Sequence, residues 1–205
     1  MNTFLLLQNI AKHIQLSETE QDSVAEAFNS STIKKKQVLV QEGSVHHFTS
    51  FVVSGCLRLY AIDKNGYEHI LQFAPTGWWM GDIRSLLNGE PGALNIDALE
   101  DSVIMIIEKS VLDKLYQSIP ALERFFRILA ENSLATYQHR LIDNLSLAAA
   151  DRYKNFCKRY PTLIEQLPQK QIAAYIGVTP EFMSKMLAQM QQKKNNRLTC
   201  IKLFS

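Results

Sequence analysis

Three polar residues near the C-terminal end of the chain have the types and spacing of a hydrogen-bonding face on a helix. Glu181, Ser184 and Lys185 share one face of any helix that contains them. A glutamate accepts a hydrogen bond from cytosine N4, and a lysine donates to guanine O6 and N7 in the major groove. A helix that presents such a face outward could enter the major groove of DNA.

The segment that must position these residues, 169–190, has the pattern of a helix-turn-helix. Ala173 is small enough for two helices to cross closely, and Gly177 lies at the turn, where positive φ is needed. Thr179 and Pro180 are a typical N-cap and first helical residue. The apolar positions are Ile172, Ile176, Val178, Met183, Met186 and Met190. An ordinary helical hairpin is the alternative.

Charge is distributed unevenly along the 205 residues. Residues 1–150 contain 12 Lys and Arg against 17 Asp and Glu, a net charge of −5. Residues 151–205 contain 10 against 3, a net charge of +7. This asymmetry is typical of a basic module for a polyanion joined to an acidic body, although a solvated basic face gives the same balance. The helix-turn-helix pattern in the basic segment favours nucleic acid.

Other kinds of chemistry find no support in the sequence. Cys56, Cys157 and Cys200 are too far apart for a metal or iron–sulfur motif, and they fit a reducing cytoplasm. Neighbouring His46 and His47 point to opposite faces of a strand, so we interpret them as surface residues rather than metal ligands. No phosphate-cradling glycine loop, nucleophile signature or run of ~20 apolar residues occurs. We expect a cytoplasmic protein that is not an enzyme, with no metal, cofactor or catalytic residue.

The rest of the sequence predicts an α+β fold. Residues 2–30 have helical spacing with Ser17 as a helix start, and residues 33–107 alternate short strand-like runs with turns. Asn65-Gly66 between two such runs predicts a hairpin with a type I′ turn. The predicted strands, which together make a sandwich or barrel, are 37–41, 48–53, 56–62, 68–73, 93–99 and 102–107.

From Ser110 onward the spacing becomes helical again, with helices predicted at 110–117, from Pro120 to about Leu147, and at 148–160. The long central helix has more apolar residues than one buried stripe needs, which is typical of a helix that pairs with its copy in a dimer. A wide contact within one chain is the alternative. The residues concerned are Leu122, Phe125, Leu129, Leu134, Tyr137, Leu141 and Leu145.

The order of these elements resembles the Crp/Fnr-type (cyclic-AMP-receptor-like) family of bacterial transcription regulators. Its local marks are QEG at 41–43, FVVSGCLRLY at 51–60, TGWWMGD at 76–82 and DRYKNFCKRYP at 151–161. The resemblance implies a double-stranded β-roll sensor domain with N-terminal helices (1–119), a long dimerisation helix (120–147) and a helix-turn-helix DNA-binding domain (148–205). It also implies a homodimer on double-stranded DNA, with RNA polymerase as a further candidate partner and no membrane.

The family's base-reading positions fall on Glu181, Ser184 and Lys185. The family often has arginine at the last of these positions, and lysine lacks arginine's planar fork, so we expect weaker base discrimination. Phe182 either contacts a thymine methyl or packs on the neighbouring helix, and we favour packing.

Phosphate contacts would position such a module on DNA without reading its sequence. The candidates are Thr179, Lys170 and Lys193. The segment after Met190 has room for at most a short strand pair, so we expect a winged-helix-like domain with a shortened wing.

The segment that resembles a nucleotide pocket departs from the family in its charges. Nucleotide-binding members hold the cyclic phosphate with an arginine and the ribose with a glutamate after glycine. Gly81 and Asp82 stand at that Gly-Glu position, one methylene shorter. The segment around Gly92 and Ala93 lacks the arginine, and Arg84 comes too early to replace it. We therefore expect a degenerate pocket that does not bind cyclic AMP. The β-roll would then serve as a scaffold, or bind an unidentified, less anionic effector near Trp78, Trp79 and the long helix.

Two hypotheses from different classes follow. The first is a homodimeric DNA-binding transcription regulator whose sensor domain does not respond to cyclic AMP. The second is a β-roll module that binds a small ligand or a protein and does not bind DNA productively.

Overall fold

Two compact units make up the chain, and they divide after Ala135. The structure, a computed structural model, describes residues 3–203, with side chains described for residues 3–192. The first unit combines helices with β-strands, and the second is helical in its described part. None of the helices in the described residues carries an apolar stretch long enough to cross a bilayer.

The first unit begins with two short helices, α1 (Phe4–Ala11) and α2 (Glu18–Ala27). Ser17 caps α2 with a reciprocal pair of hydrogen bonds: its Oγ accepts from the Glu20 amide over 3.3 Å, and Glu20 Oε2 accepts from the Ser17 amide over 2.8 Å. The predicted helix start at Ser17 is therefore confirmed.

Eight strands follow and pair in two antiparallel, four-stranded sheets with the orders β1-β8-β3-β6 and β2-β7-β4-β5. Their bounds are β1 (Asn29–Ile33), β2 (Val38–Val40), β3 (Phe48–Ser54), β4 (Cys56–Ile62), β5 (Glu68–Pro75), β6 (Trp79–Met80), β7 (Asn95–Ala98) and β8 (Ser102–Glu108). A short helix, α3 (Ile83–Asn88), lies between β6 and β7. The six predicted strands are confirmed, whereas β1, β6 and α3 were not predicted.

The hairpin between β4 and β5 is confirmed, but its predicted turn type is wrong. The Gly66 amide donates to the Asp63 carbonyl over 2.9 Å, and only Gly66 of the turn residues has positive φ, at 81°. The Asp63 carboxylate accepts from the amides of Asn65 (2.8 Å) and Tyr67 (3.0 Å). These side-chain bonds stabilise a type I turn closed by glycine, because Asp favours the first position of that turn.

Two apolar clusters hold the first unit together. One fills the space between the sheets and includes Val52, Leu57 and Ile104. The other packs β3 and β8 against the helices, including α4 (Lys109–Ser118) and the beginning of α5 (Ala121–Ser146). The buried residues of α5 belong to this second cluster and are Leu122 and Phe125.

The second unit contains the last part of α5 followed by α6 (Ala149–Arg159), α7 (Gln169–Ile176) and α8 (Pro180–Leu203). Three rings pack at its centre with centroids 5.3–5.6 Å apart: Phe156, Tyr160 and Tyr175. The strand pair allowed for after Met190 does not form, since α8 continues through this segment to Leu203. No glycine or proline follows Pro180, and Gln, Lys and Arg there are good helix formers.

Candidate nucleic-acid interface and pocket region

The turn between α7 and α8 has the backbone that the sequence predicted. Gly177 caps α7 in the left-handed conformation, with φ 71° and ψ 47°. The Oγ1 of Thr179 accepts from the Phe182 amide over 3.2 Å, which caps the first turn of α8. Pro180 is the first residue of that helix. Three residues within a stretch of four thus determine the backbone of this turn.

One face of α8 packs into the second unit. Met183 is fully buried and Met186 nearly so, alongside Ile172, Ala173 and Ile176 of α7. The opposite face of α8 is exposed to solvent, because a helix with one apolar stripe exposes the residues on its other side. The helix-turn-helix pattern thus has its predicted buried side.

Glu181, Ser184 and Lys185 are all exposed on α8. Ser184 Oγ donates to the Pro180 carbonyl over 3.0 Å, so its hydroxyl proton is engaged within the helix. The Glu181 carboxylate and the Lys185 ammonium group thus provide the strong hydrogen-bonding groups of this face. A partner that contacts the first turns of α8 would meet one acceptor and one cationic donor.

The candidate phosphate contacts lie around the same turn. Thr179 and Lys170 are exposed, and Lys170 belongs to the first turn of α7. While Thr179 Oγ1 accepts from the Phe182 amide, its hydroxyl proton can still be donated to a phosphate. The side chain of Lys193 lies outside the described residues.

Phe182, for which the sequence favoured packing on the neighbouring helix, is 52% exposed. Phe182 points about 100° away from the buried Met183 and lies four residues before the buried Met186, so its ring is at the edge of the buried stripe. An aromatic side chain is therefore partly exposed on the first turns of α8.

The end of α5 is bonded to the helices that follow it. Arg140 donates to the Tyr175 carbonyl over 2.7 Å, and its guanidinium lies 3.8 Å from the centroid of the Tyr175 ring. Asn155 Nδ2 donates to Asp143 Oδ2 over 2.9 Å. Burial raises the pKa of the Tyr175 phenol above its usual range. These contacts give α7 a defined position on the last part of α5.

In the first unit, the segment that resembles a nucleotide pocket is closed by its own hydrogen bonds. Asp82 caps α3, with Oδ1 accepting from the Ser85 amide over 3.2 Å. Ser85 Oγ donates to the Glu90 carbonyl over 2.6 Å and accepts from the His46 amide over 2.9 Å. The side chain of Ser85 is fully buried. Sequence reasoning did not predict this bridging role of Ser85, which depends on residues far apart in the chain.

Gly92 is the point where this segment is most tightly packed. Its amide donates to the Ser44 carbonyl over 2.9 Å. A Cβ at this position would lie 2.3 Å from Asp82 Oδ2 and 3.4 Å from His46 Cδ2. Asp82 Oδ2 and His46 Nε2 are both buried and have no hydrogen-bond partner among the described residues. The prediction of a surface position is therefore wrong for His46, although His47 is exposed and the two do face opposite sides.

The segment combines a buried carboxylate with an exposed guanidinium. The carboxylate of Asp82 is 2% exposed and faces Gly92. Arg84 provides the one cationic side chain of residues 80–95, all of which are described, and it is exposed. Gly81 packs against Thr49, whose Oγ1 would be 3.3 Å from a Cβ, and Ala93 is exposed.

Trp79 is partly buried and packs against the apolar core of the first unit. Its Nε1 donates to Asn9 Oδ1 over 2.9 Å. The indole packs edge-on against Phe28 and Phe126, with centroids 6.0 and 5.1 Å away. The ring is thereby committed to the contact between the sheet and the helices.

Comparisons with known proteins agree with this architecture. Residues 31–119 match the cyclic nucleotide-binding domain family. No curated protein matches the chain significantly.

Solved structures with the same fold span most of the chain. The c-di-GMP-responsive global regulator CLP of Xanthomonas campestris is 12% identical, with a TM-score of 0.74 over 87% of this chain and 93% of that one. FixK2 of Bradyrhizobium japonicum is 18% identical, with a TM-score of 0.68 over 82% and 86%. A regulator of the Crp/Fnr family from Eubacterium rectale is 16% identical, with a TM-score of 0.67 over 87% and 85%. Residues 31–119 thus match the cyclic nucleotide-binding domain family, and the chain has the fold of the Crp/Fnr-family transcription regulators.

Proposed function

We propose that the chain is a homodimeric, sequence-specific DNA-binding transcription regulator. Residues 1–119 would be a sensor domain, 120–147 a dimerisation helix and 148–205 the DNA-binding domain. The observation that carries the proposal is the exposed polar face on the first turns of α8, where Glu181 and Lys185 lie opposite the buried Met183 and Met186. A helix fixed in this way can place its N-terminal residues against base edges. The net charge of +7 on residues 151–205 supports a polyanionic partner.

The last part of α5 supports a second copy of the chain as partner. Leu134, Leu141 and Leu145 are 59%, 60% and 80% exposed. With the exposed Gln138 they follow the 4-3-4 spacing of the a and d positions of a coiled coil. Burying these leucines against their copies would remove an exposed apolar stripe, which is the usual reason for such a helix to pair.

The pocket region supports a regulator that does not depend on cyclic nucleotides. The hydroxyl of Ser85 and one oxygen of Asp82 are already bonded within the chain. The second oxygen of Asp82 faces Gly92, and residues 90–95, where the resemblance would place the arginine for the phosphate, contain no cation. An effector of another chemical class and RNA polymerase stay candidate partners.

Binding to mixed genomic DNA at two salt concentrations tests the proposal against the rival ligand-binding or protein-interaction module. If a dimer neutralises about six phosphates, log K falls with a slope of roughly −5 against log salt concentration. Selection of bound sites from random DNA should then give paired half-sites about one helical turn apart. Binding that is undetectable, or that does not respond to salt, would favour the rival.

Sedimentation velocity tests the dimer separately. The apparent molecular mass of the wild-type protein should be twice the 23.4 kDa of one protomer. Leu141→Glu places a charge at the proposed seam and should shift the protein toward the monomer. Asn132→Glu adds the same charge at an exposed position of α5 outside the seam and is the matched control. Circular dichroism checks that both variants keep their helices.

A further inference from the structure

The exposed ring of Phe182 has a defined position relative to the base-reading residues. Its amide is bonded to Thr179 Oγ1, so its backbone belongs to the fixed first turn of α8. Phe182 lies three residues before Lys185, which places the two side chains next to each other on the helix surface. Gln189 extends the same edge by one further turn and is also exposed. An apolar, a cationic and an amide side chain thus follow one another along one edge of α8.

The major groove offers one partner for an apolar side chain at this place. Each base edge there presents hydrogen-bond donors and acceptors, and thymine alone adds an apolar group, its 5-methyl. A phenylalanine ring cannot bond to phosphate oxygens, so a backbone contact would leave its apolar surface unsatisfied. Neighbouring helix residues about 5–6 Å apart reach bases one or two steps apart, because bases along one strand are about 3.4 Å apart.

We propose that Phe182 is a specificity-determining residue that contacts the 5-methyl group of a thymine, one or two base pairs from the base that Lys185 contacts. The inference rests on the proposed DNA binding and adds to it a base preference that Glu181, Ser184 and Lys185 do not provide. The structure leaves this ring exposed although the sequence favoured its packing, and the contact with thymine gives the ring an apolar partner.

The test uses the duplex that the wild-type protein selects from random DNA. Each thymine is replaced in turn by deoxyuridine, which lacks only the methyl group, and affinities are measured for wild type and Phe182→Ala. At one position in each half-site, the replacement should weaken wild-type binding on the order of fourfold, the equivalent of one buried methyl-sized group. Phe182→Ala should bind both duplexes equally well. Gln189→Ala is the matched control on the same edge of α8 and should keep the wild-type response.

Three results would overturn the inference, and each would indicate a different explanation. If Phe182→Ala keeps the full deoxyuridine effect, another residue contacts the methyl group. If Phe182→Ala weakens all duplexes equally and deoxyuridine has no effect on wild type, the ring contacts the DNA backbone. If wild type selects no sequence at all, the proposed DNA binding itself fails.

Discussion

The guanidinium of Arg140 lies over the ring of Tyr175 and donates to the carbonyl of the same residue. One side chain of α5 therefore holds both the ring and a C-terminal carbonyl of α7. The carbonyl bond is favourable because the last carbonyls of a helix lack partners within it. The stacked guanidinium adds a cation–π contact.

We expect Arg140→Ala to lower the free energy of unfolding of the second unit by about 2–3 kcal/mol, the sum of a charged hydrogen bond and a partly buried cation–π contact. Urea unfolding is followed by helical ellipticity and by tryptophan fluorescence; both tryptophans belong to the first unit, so a loss confined to the second unit should change the ellipticity transition and not the fluorescence transition. Lys154→Ala is the control in the same unit, since its pair with Asp151 (2.8 Å) is exposed and contributes about 0.5 kcal/mol or less. Equal losses in the two variants would contradict a special role of Arg140.

Alkaline pH should destabilise the second unit through Tyr175. Burial raises the pKa of its phenol, and the negative charge of a neighbouring Tyr160 phenolate acts in the same direction. The neutral ring is therefore favoured by folding, so its full contribution is present below the ordinary pKa of 10.0 and is lost as pH rises above it. Tyr175→Phe should flatten the fall of unfolding free energy above pH 10. Tyr67→Phe, at an exposed site, should follow wild type.

Gly92→Ala should destabilise the first unit by about 1–3 kcal/mol, the usual range for overpacking. The new methyl group would lie 2.3 Å from Asp82 Oδ2, so the Asp82 cap or the Ser44 contact must shift. Tryptophan fluorescence during urea unfolding measures the loss. Glu90→Ala keeps the carbonyl that Ser85 uses and removes an exposed side chain, so it should be close to neutral. A stable Gly92→Ala protein would mean that the loop has room that the structure does not show.

Neither cyclic AMP nor cyclic GMP should bind at micromolar concentration, and DNA binding should not require them. An arginine–phosphate pair is charge-assisted and bidentate, and residues 90–95 contain no arginine or lysine to form it. Each nucleotide is titrated into the protein, and binding is monitored by tryptophan fluorescence and by calorimetry. The Asp82→Asn variant is titrated in the same way. Saturable micromolar binding to wild type would show that Arg84 or another cation holds the phosphate.

Lys185→Ala should relax base preference at one position in each half-site, with a cost on the order of 1–3 kcal/mol on the preferred base. Lys170→Ala should instead weaken all sequences alike and reduce the salt slope by about one unit for each lost phosphate contact. Site selection and salt titration distinguish the two variants. An unchanged motif for Lys185→Ala would mean that the assigned register of α8 is wrong.

Most elements could be predicted because their signals are local. The positive φ of Gly177 and the caps at Ser17 and Thr179 depend on a few neighbouring residues. Strand β1 has no such signal: four of its five residues are polar, and only Ile33 is buried. Its pairing with β8, between residues distant in the chain, stabilises it instead.

In the candidate site, too, the features with local signals could be predicted and those that depend on distant residues could not. The positions of Glu181 and Lys185 followed from helical spacing and a correctly predicted turn. The burial of His46 could not be predicted, because two adjacent histidines point to opposite faces and the sequence does not indicate which face is covered. The exposure of Phe182 was also missed, since an aromatic residue beside a methionine stripe usually packs with it.

The pairing of β1 with β8 also determines the order in which the chain can fold. Asn29 is paired with Ile106 and Ile33 with Ser102, so the first strand has no partner until more than a hundred residues have been synthesised. The helices of the second unit contact neighbours close in sequence, which allows rapid local folding. During synthesis on the ribosome, β1 therefore stays unpaired. The slow folding step should be formation of the β-roll rather than folding of the helical unit.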